Sequence, residues 1–137
     1  MAEFRAGDTF LVCDKIGQDA KRHLYVVLCD PSGQPPTVLM VPFHTATRLT
    51  DPTVLLMPED HPFITRRTSV GFSEIKAYPV AALSALEQSG NVDLFERFPR
   101  ASDSLLQRII EGVFTSEETE LYFAQLLRQR LGLPDEK

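Results

Sequence analysis

The sequence of 137 residues predicts a small α+β domain that is mainly β, with its helices at the C-terminus. Short runs rich in Val, Leu, Phe and Tyr, separated by Pro and Gly, fill the first two-thirds and are typical of antiparallel strands. After Pro79 the apolar residues recur at helical spacing. A chain of this length can bury a core without disulfides. We therefore expect one domain over 1–137, with a small antiparallel β-barrel at 1–80 and a helical extension at 81–137 packed on it.

Five strands are predicted, at TFLVCDK (9–15), HLYVVLCD (23–30), TVLMVPF (37–43), TVLLMP (53–58) and SVGFSEIKAYPV (69–80). The segment DPSGQPP (30–36) predicts a hairpin, because Pro31 fixes φ and Ser32-Gly33 suits a turn. The second and third strands should therefore pair antiparallel. Both are almost continuously apolar, which indicates that both sheet faces are covered, as in a curled barrel or beneath helices.

Three helices are predicted after residue 80. The first covers 81–90 and ends at Gly90. The second has apolar residues at helical spacing over 105–114, with Ser104 to Gln107 as a capping box. A second box, Thr115 to Glu118, should begin the third helix, which Gly132 ends. The apolar stripes predict packing against the sheet, with a groove for a partner as the alternative.

Composition limits the function classes. The net charge of -5 argues against a surface coated for nucleic acid, although Lys21, Arg22 and the pair Arg66-Arg67 allow a local basic patch. Ordinary solvated charges are the alternative. No apolar run is long enough to cross a bilayer and no signal peptide is present, so we expect a cytoplasmic protein. Cys13 and Cys29 lack CxxC spacing, and neither a metal nor a cofactor is expected.

The three histidines each stand where an apolar run meets a turn. If the second and third strands pair through the turn at 30–36, His23 and His44 become neighbours at one sheet edge. Two imidazoles suit general acid and base chemistry near neutral pH, and Arg22 could clamp a phosphate. A strand-end histidine can instead simply bond a nearby carbonyl, and His61 in PEDHPF can cap its own loop.

The stretches GDTFLV, HLYVVLCDPSG and VLMVPFHTATRL resemble the opening of the PemK/MazF family of toxins, over roughly residues 7–75. That family has a Gly-Asp start, a strand led by Arg-Pro, a turn, and a strand ending in Pro followed by Ser or Thr. The stretch EDHPFITRRTSVGF is similar to its less characterised relatives. The resemblance implies an SH3-like barrel with a C-terminal helix. It also implies a homodimer that acts as a ribosome-independent endoribonuclease and is silenced by a partner antitoxin.

Transferred by residue, the family's Arg at the start of the second strand falls on Arg22 or His23, and its hydroxyl residue falls on His44, with Thr45 next. Two positions depart from the pattern, because no Pro follows Arg22 and a histidine replaces the hydroxyl. The resulting hypothesis is metal-independent cleavage of single-stranded RNA by these four residues. The residues expected to bind RNA are Lys21, Arg48, His61, Arg66 and Arg67. The alternative is a non-catalytic barrel that binds a protein as a regulatory module.

Overall fold

The computed structural model describes residues 3–13 and 22–134. Within them the chain forms seven strands and three α-helices. In chain order these are β1 (Thr9–Cys13), β2 (Arg22–Val27), β3 (Thr37–Thr45), β4 (Leu55–Leu56), β5 (Thr68–Val70), β6 (Lys76–Pro79), α1 (Val80–Gln88), β7 (Phe95–Phe98), α2 (Asp103–Thr115) and α3 (Leu121–Leu131). Single turns of 3-10 helix lie at Pro58–Asp60 and Phe72–Glu74. The predicted α+β class is confirmed, but the described chain is not mainly β, because its α-helices contain as many residues as its strands.

All strand pairs are antiparallel, in the order β4-β5-β3-β2-β1-β7, with β6 also pairing with β3. The predicted hairpin of β2 and β3 is confirmed, and the backbones of Ser32 and Thr37 exchange two hydrogen bonds at its turn. Within the described residues the sheet does not close, so the predicted closed barrel is not observed. Its end strands, β4 and β7, each pair on one side only.

Both faces of the sheet are covered, as the apolar strands predicted. Along β2, Leu24 and Val26 join one buried cluster, whereas Tyr25 and Val27 join another. This alternation follows from the two-residue period of a strand. The first cluster includes the apolar faces of α2 and α3, and the second includes Leu83 of α1. The helical stripes therefore pack against the sheet.

The helix starts differ from the predicted ones. Ser102, not Ser104, caps α2, because its hydroxyl accepts a hydrogen bond from the Leu105 N–H at 3.1 Å. Thr115 ends α2 instead of starting the next helix, since its hydroxyl donates to the Glu111 carbonyl at 2.8 Å. The third helix begins only at Leu121. It ends at Gly132, which adopts φ 71°, as predicted.

Two predicted strands are shorter than expected. The strand at 53–58 is reduced to Leu55–Leu56, because a carboxylate oxygen of Asp60 accepts from the Met57 N–H at 2.8 Å and tightens the chain into a 3-10 turn. The strand at 69–80 is interrupted. Phe43 pairs with Val70 but Met40 with Lys76, so six steps along one chain match three along the other. The three extra residues are accommodated by the 3-10 turn Phe72–Glu74.

One strand was not predicted. Phe95–Phe98 returns to the sheet as β7 and pairs with β1, from Val12–Phe95 to Thr9–Phe98. The segment 81–137 is therefore not purely helical, and the sheet extends across the predicted boundary at residue 80. No helix in the described ranges has the length and apolar character needed to span a membrane.

Candidate functional site

The histidine pair lies where β2 begins and β3 ends. The ladder between the two strands runs from Val27–Met40 to Tyr25–Pro42, and extending it by two positions sets His23 opposite His44. The two imidazole centroids are 4.6 Å apart, with their planes at 66°. The predicted proximity of His23 and His44 is therefore confirmed. It follows from the hairpin, since a short connection fixes the register of both strands.

Glu74 binds His44 from the neighbouring 3-10 turn. The Nε2 atom of His44 hydrogen-bonds Oε2 of Glu74, and the two groups form an ion pair when the imidazole is protonated. The imidazole is partly sheltered, with 24% of the side chain exposed. Glu74 is brought there by the three-residue excess that lifts Phe72–Glu74 out of the ladder. The sequence analysis did not identify this contact.

Gly71 makes room for the imidazole of His44. A Cβ atom on Gly71 would lie 2.8 Å from Cδ2 and 2.9 Å from Nε2 of His44, and 3.0 Å from Oε2 of Glu74. These separations are too short for carbon and nitrogen atoms in contact. The glycine is thus required by space and not by its backbone, because its φ is -86°.

A groove of about 840 Å³ opens beside the histidines. It contains five of the predicted site residues: Arg22, His23, His44, Thr45 and Arg66. The rest of its lining is apolar or carries hydroxyl groups, and comprises Leu24, Phe43, Thr50, Phe63, Ile64, Thr65 and Thr68. Two cations, two imidazoles and several hydroxyls surround a space large enough for a nucleotide or a peptide side chain.

Arg22 is held at the groove by contacts with β7 and with the segment before it. Its Nη1 donates to the Val92 carbonyl at 2.7 Å and lies 4.0 Å from a carboxylate oxygen of Glu96. Its side chain is 37% exposed. These long-range partners engage one terminal nitrogen of the guanidinium while part of the side chain stays accessible, which suits a residue that binds an anion.

Arg48 and Arg67 lie apart from the histidines. Both are exposed and line a second cavity of about 410 Å³, which shares Thr50 with the groove. The predicted RNA-binding arginines are therefore divided, with Arg66 in the groove and the other two beyond it. Lys21, also predicted to bind RNA, lies outside the described residues.

The location of His61 argues against the predicted RNA contact. Only 3% of the residue is exposed, and its Nε2 donates to the Pro99 carbonyl at 2.7 Å. Its Nδ1 accepts from the Phe63 N–H at 3.1 Å. The imidazole therefore ties its own loop to the residue that follows β7, Pro99. This agrees with the alternative prediction, that His61 caps its own loop.

A buried carboxylate anchors the loop that carries Thr50. Asp51 accepts hydrogen bonds from the Ser116 hydroxyl and from the N–H and hydroxyl of Thr53, the latter two at 2.9 and 2.6 Å. Burial by itself raises the pKa of the Asp51 carboxyl, but these hydrogen bonds outweigh burial and the net pKa is lowered. The loop is thereby tied to the C-terminal end of α2.

His44 also lines a smaller cavity of about 260 Å³. Asp51, Glu74 and Glu118 all line it. His44 thus stands between an arginine-bearing groove and an acidic cavity. Among the described residues, no group of three or more His, Cys, Asp or Glu has an arrangement that could hold a metal ion.

Glu74 and Gly71 are the site residues that sequence reasoning missed. Their one signal is the stretch GFSE within an otherwise strand-like run, since a glycine inside a strand pattern can mark an interruption or a close approach. No protein-family model matches the chain, and no curated protein matches it.

Proposed function

We propose that this protein is a metal-independent endoribonuclease that cleaves single-stranded RNA in the groove beside His23 and His44. The observation that carries the proposal is the 4.6 Å separation of the two imidazoles at the mouth of a groove that also contains Arg22 and Arg66. Adjacent imidazoles and guanidinium groups are the side chains needed to transfer protons around a phosphodiester and stabilise its charge.

The proposed reaction is attack by the ribose 2′-hydroxyl on the adjacent phosphorus. One histidine removes the 2′-hydroxyl proton, and the new O–P bond forms as the bond to the 5′-oxygen breaks. The other histidine gives that leaving oxygen a proton. The products are a 2′,3′-cyclic phosphate and a 5′-hydroxyl end. Arg22 stabilises the charge on the phosphoryl oxygens, and the Thr45 hydroxyl binds the phosphate next to Arg22.

The remaining cations would hold the RNA on either side of the cleaved bond. Arg66 lines the groove, and Arg48 and Arg67 line the cavity that shares Thr50 with it. Such contacts position the backbone without reading its sequence. The aromatic ring of Phe63 in the groove offers a surface for a base.

The proposal includes a relation to the PemK/MazF family. The motifs at residues 7–75 support it, and the open antiparallel sheet would then be a variant of the SH3-like barrel. On this view the protein is a cytoplasmic bacterial toxin that an antitoxin silences. It should also be a homodimer, since unpaired edges at β4 and β7 need to be shielded. A strictly monomeric mass in light scattering at micromolar concentration would count against the dimer.

The test is cleavage of a labelled single-stranded RNA by purified protein in the presence of EDTA. We expect cyclic-phosphate ends and a rate that falls at both pH extremes, because one imidazole must be neutral and the other protonated. His23→Ala and His44→Ala should each lower the rate by about 10²-fold or more. Thermal melting checks that each variant folds. Cleavage that persists in the double variant would contradict the histidine mechanism and move the chemistry to Arg22 and Thr45.

A second candidate function is a non-catalytic, protein-binding module. The observation in its favour is the exposed apolar pair Leu121 and Tyr122 on α3, at 67% and 64% exposed, together with the net charge of -5. Absence of RNA cleavage by folded protein, with harmless expression in bacteria, would favour this function. Cleavage lost in the histidine variants would favour the ribonuclease.

A further inference from the structure

We infer that Glu74 is a positioning residue that fixes the tautomer of His44, so that Nδ1 is the nitrogen that exchanges a proton with substrate. The inference rests on the proposed ribonuclease function and deepens it. It begins from the hydrogen bond between Nε2 of His44 and the Glu74 carboxylate. An ionised carboxylate can only accept, so the bonded nitrogen must carry a hydrogen.

The tautomer of neutral His44 follows from this hydrogen bond. In a neutral imidazole one nitrogen is a donor and the other an acceptor. With Nε2–H committed to Glu74, the lone pair of neutral His44 resides on Nδ1. Proton transfer to or from RNA must then pass through Nδ1. When Nδ1 takes a proton, the imidazolium lies against a carboxylate that stabilises its charge. A carboxylate that orients a histidine from behind acts in the same way in catalytic triads.

The surroundings keep the contact in place. Gly71 leaves the space into which His44 fits, because any Cβ there would overlap both the imidazole and the Glu74 carboxylate. The ring of His23 also lies against that of His44 with edge-on geometry. The imidazole is thus confined between the 3-10 turn and β2. Its orientation is set by elements that are far apart in sequence.

Other charged groups also surround this imidazole. Those that line the groove or the smaller cavity with it are Arg22, His23, Asp51, Arg66, Glu74 and Glu118. Of the described carboxylates, Glu74 hydrogen-bonds the imidazole of His44 and Glu118 does not. Glu74 and Glu118 therefore carry the same type of side chain but differ in the hydrogen bond to His44, so Glu118 is a matched control for Glu74.

The experiment compares the wild type with Glu74→Gln and Glu118→Gln. Ring nitrogen chemical shifts of labelled protein report the tautomer of His44 without RNA. We expect Nε2–H alone in the wild type and in Glu118→Gln. The Glu74→Gln variant should show a mixture of tautomers, because an amide can either accept from the ring or donate to it. In cleavage assays Glu74→Gln should lower kcat by about 10- to 100-fold, the range for partners that orient metal-binding histidines. KM should not change, since Glu74 lines the smaller cavity and not the groove proposed to bind RNA.

The results separate this inference from the ribonuclease proposal. A wild type with Nδ1–H on His44, or a Glu74→Gln variant with unchanged tautomer and kcat, would overturn the positioning role. A wild type that does not cleave RNA, but whose His44 tautomer depends on Glu74, would refute the ribonuclease and support the contact. Equal loss of kcat in Glu118→Gln would also contradict the inference, because general charge and not the hydrogen bond would then be responsible.

Discussion

The substitution Gly71→Ala should displace His44 while leaving the fold intact. The added Cβ would lie 2.8 Å from Cδ2 of His44, whereas ordinary contact begins at 3.4 Å, so the ring must withdraw by about 0.6 Å. The same methyl group would lie 3.0 Å from the Glu74 carboxylate oxygen. Both partners of the hydrogen bond are therefore pushed away together. Backbone strain does not contribute, because φ of Gly71 is -86°.

The magnitude follows from this displacement. A misplacement of about 1 Å in a reacting group can cost about 10²-fold in rate. For a somewhat smaller shift we expect RNA cleavage to fall by about 10- to 100-fold. Stability should change less, because His44 is partly exposed and can move outward. The cost in free energy of unfolding should lie near the lower end of the roughly 1–3 kcal/mol seen for overpacking.

The assay is single-turnover cleavage of end-labelled single-stranded RNA, with the His44 ring signals and the melting temperature measured on the same samples. The control is Ser73→Ala, which alters an exposed side chain in the same 3-10 turn and should retain the wild-type rate. A folded Gly71→Ala protein with wild-type cleavage and unchanged His44 signals would contradict the expected displacement of His44 and its effect on the rate. It would mean that the geometry of this imidazole does not limit the reaction.

Three further predictions concern Asp51, His61 and Arg66. Asp51→Asn should lower the free energy of unfolding at neutral pH by about 1–3 kcal/mol, because it disrupts the buried hydrogen bonds from Ser116. The pKa of the Asp51 carboxyl is lower in the folded protein than in the unfolded chain. The ionised carboxylate therefore stabilises the fold above the unfolded pKa, and this stabilisation is lost as pH falls through the folded pKa. Chemical denaturation should show that the variant loses less stability than the wild type below about pH 4. His61→Ala should destabilise the protein by about 1–3 kcal/mol in thermal or urea unfolding, because the loop loses its hydrogen bonds to the Pro99 carbonyl and from the Phe63 N–H, without weakening RNA binding. A reduced affinity in a folded His61→Ala protein would restore the original expectation for this residue. Arg66→Ala should weaken RNA binding and reduce its salt dependence by about one phosphate contact. Fluorescence titration at several salt concentrations measures both quantities. The control Arg5→Ala should have no effect, because Arg5 lines neither cavity.

Features that depend on short connections can be predicted from the local sequence. The apolar runs of β2 and β3, joined by DPSGQPP, were sufficient to predict the hairpin. The proximity of His23 and His44 followed, because a hairpin sets its register within a few residues. The coverage of both sheet faces and the helical character after Pro79 were likewise visible in the apolar periodicity.

The distant groups that contact these histidines are set by the tertiary fold and not by local sequence. Glu74 reaches His44, 30 residues away, because β5 and β6 return along β3 with a three-residue excess that no local pattern measures. The buried imidazole of His61 hydrogen-bonds the carbonyl of Pro99, 38 residues away. Strand β7 pairs with β1, although the other five strands lie between the two in sequence. Such contacts depend on the total burial that the whole chain achieves, and local propensity does not encode that quantity.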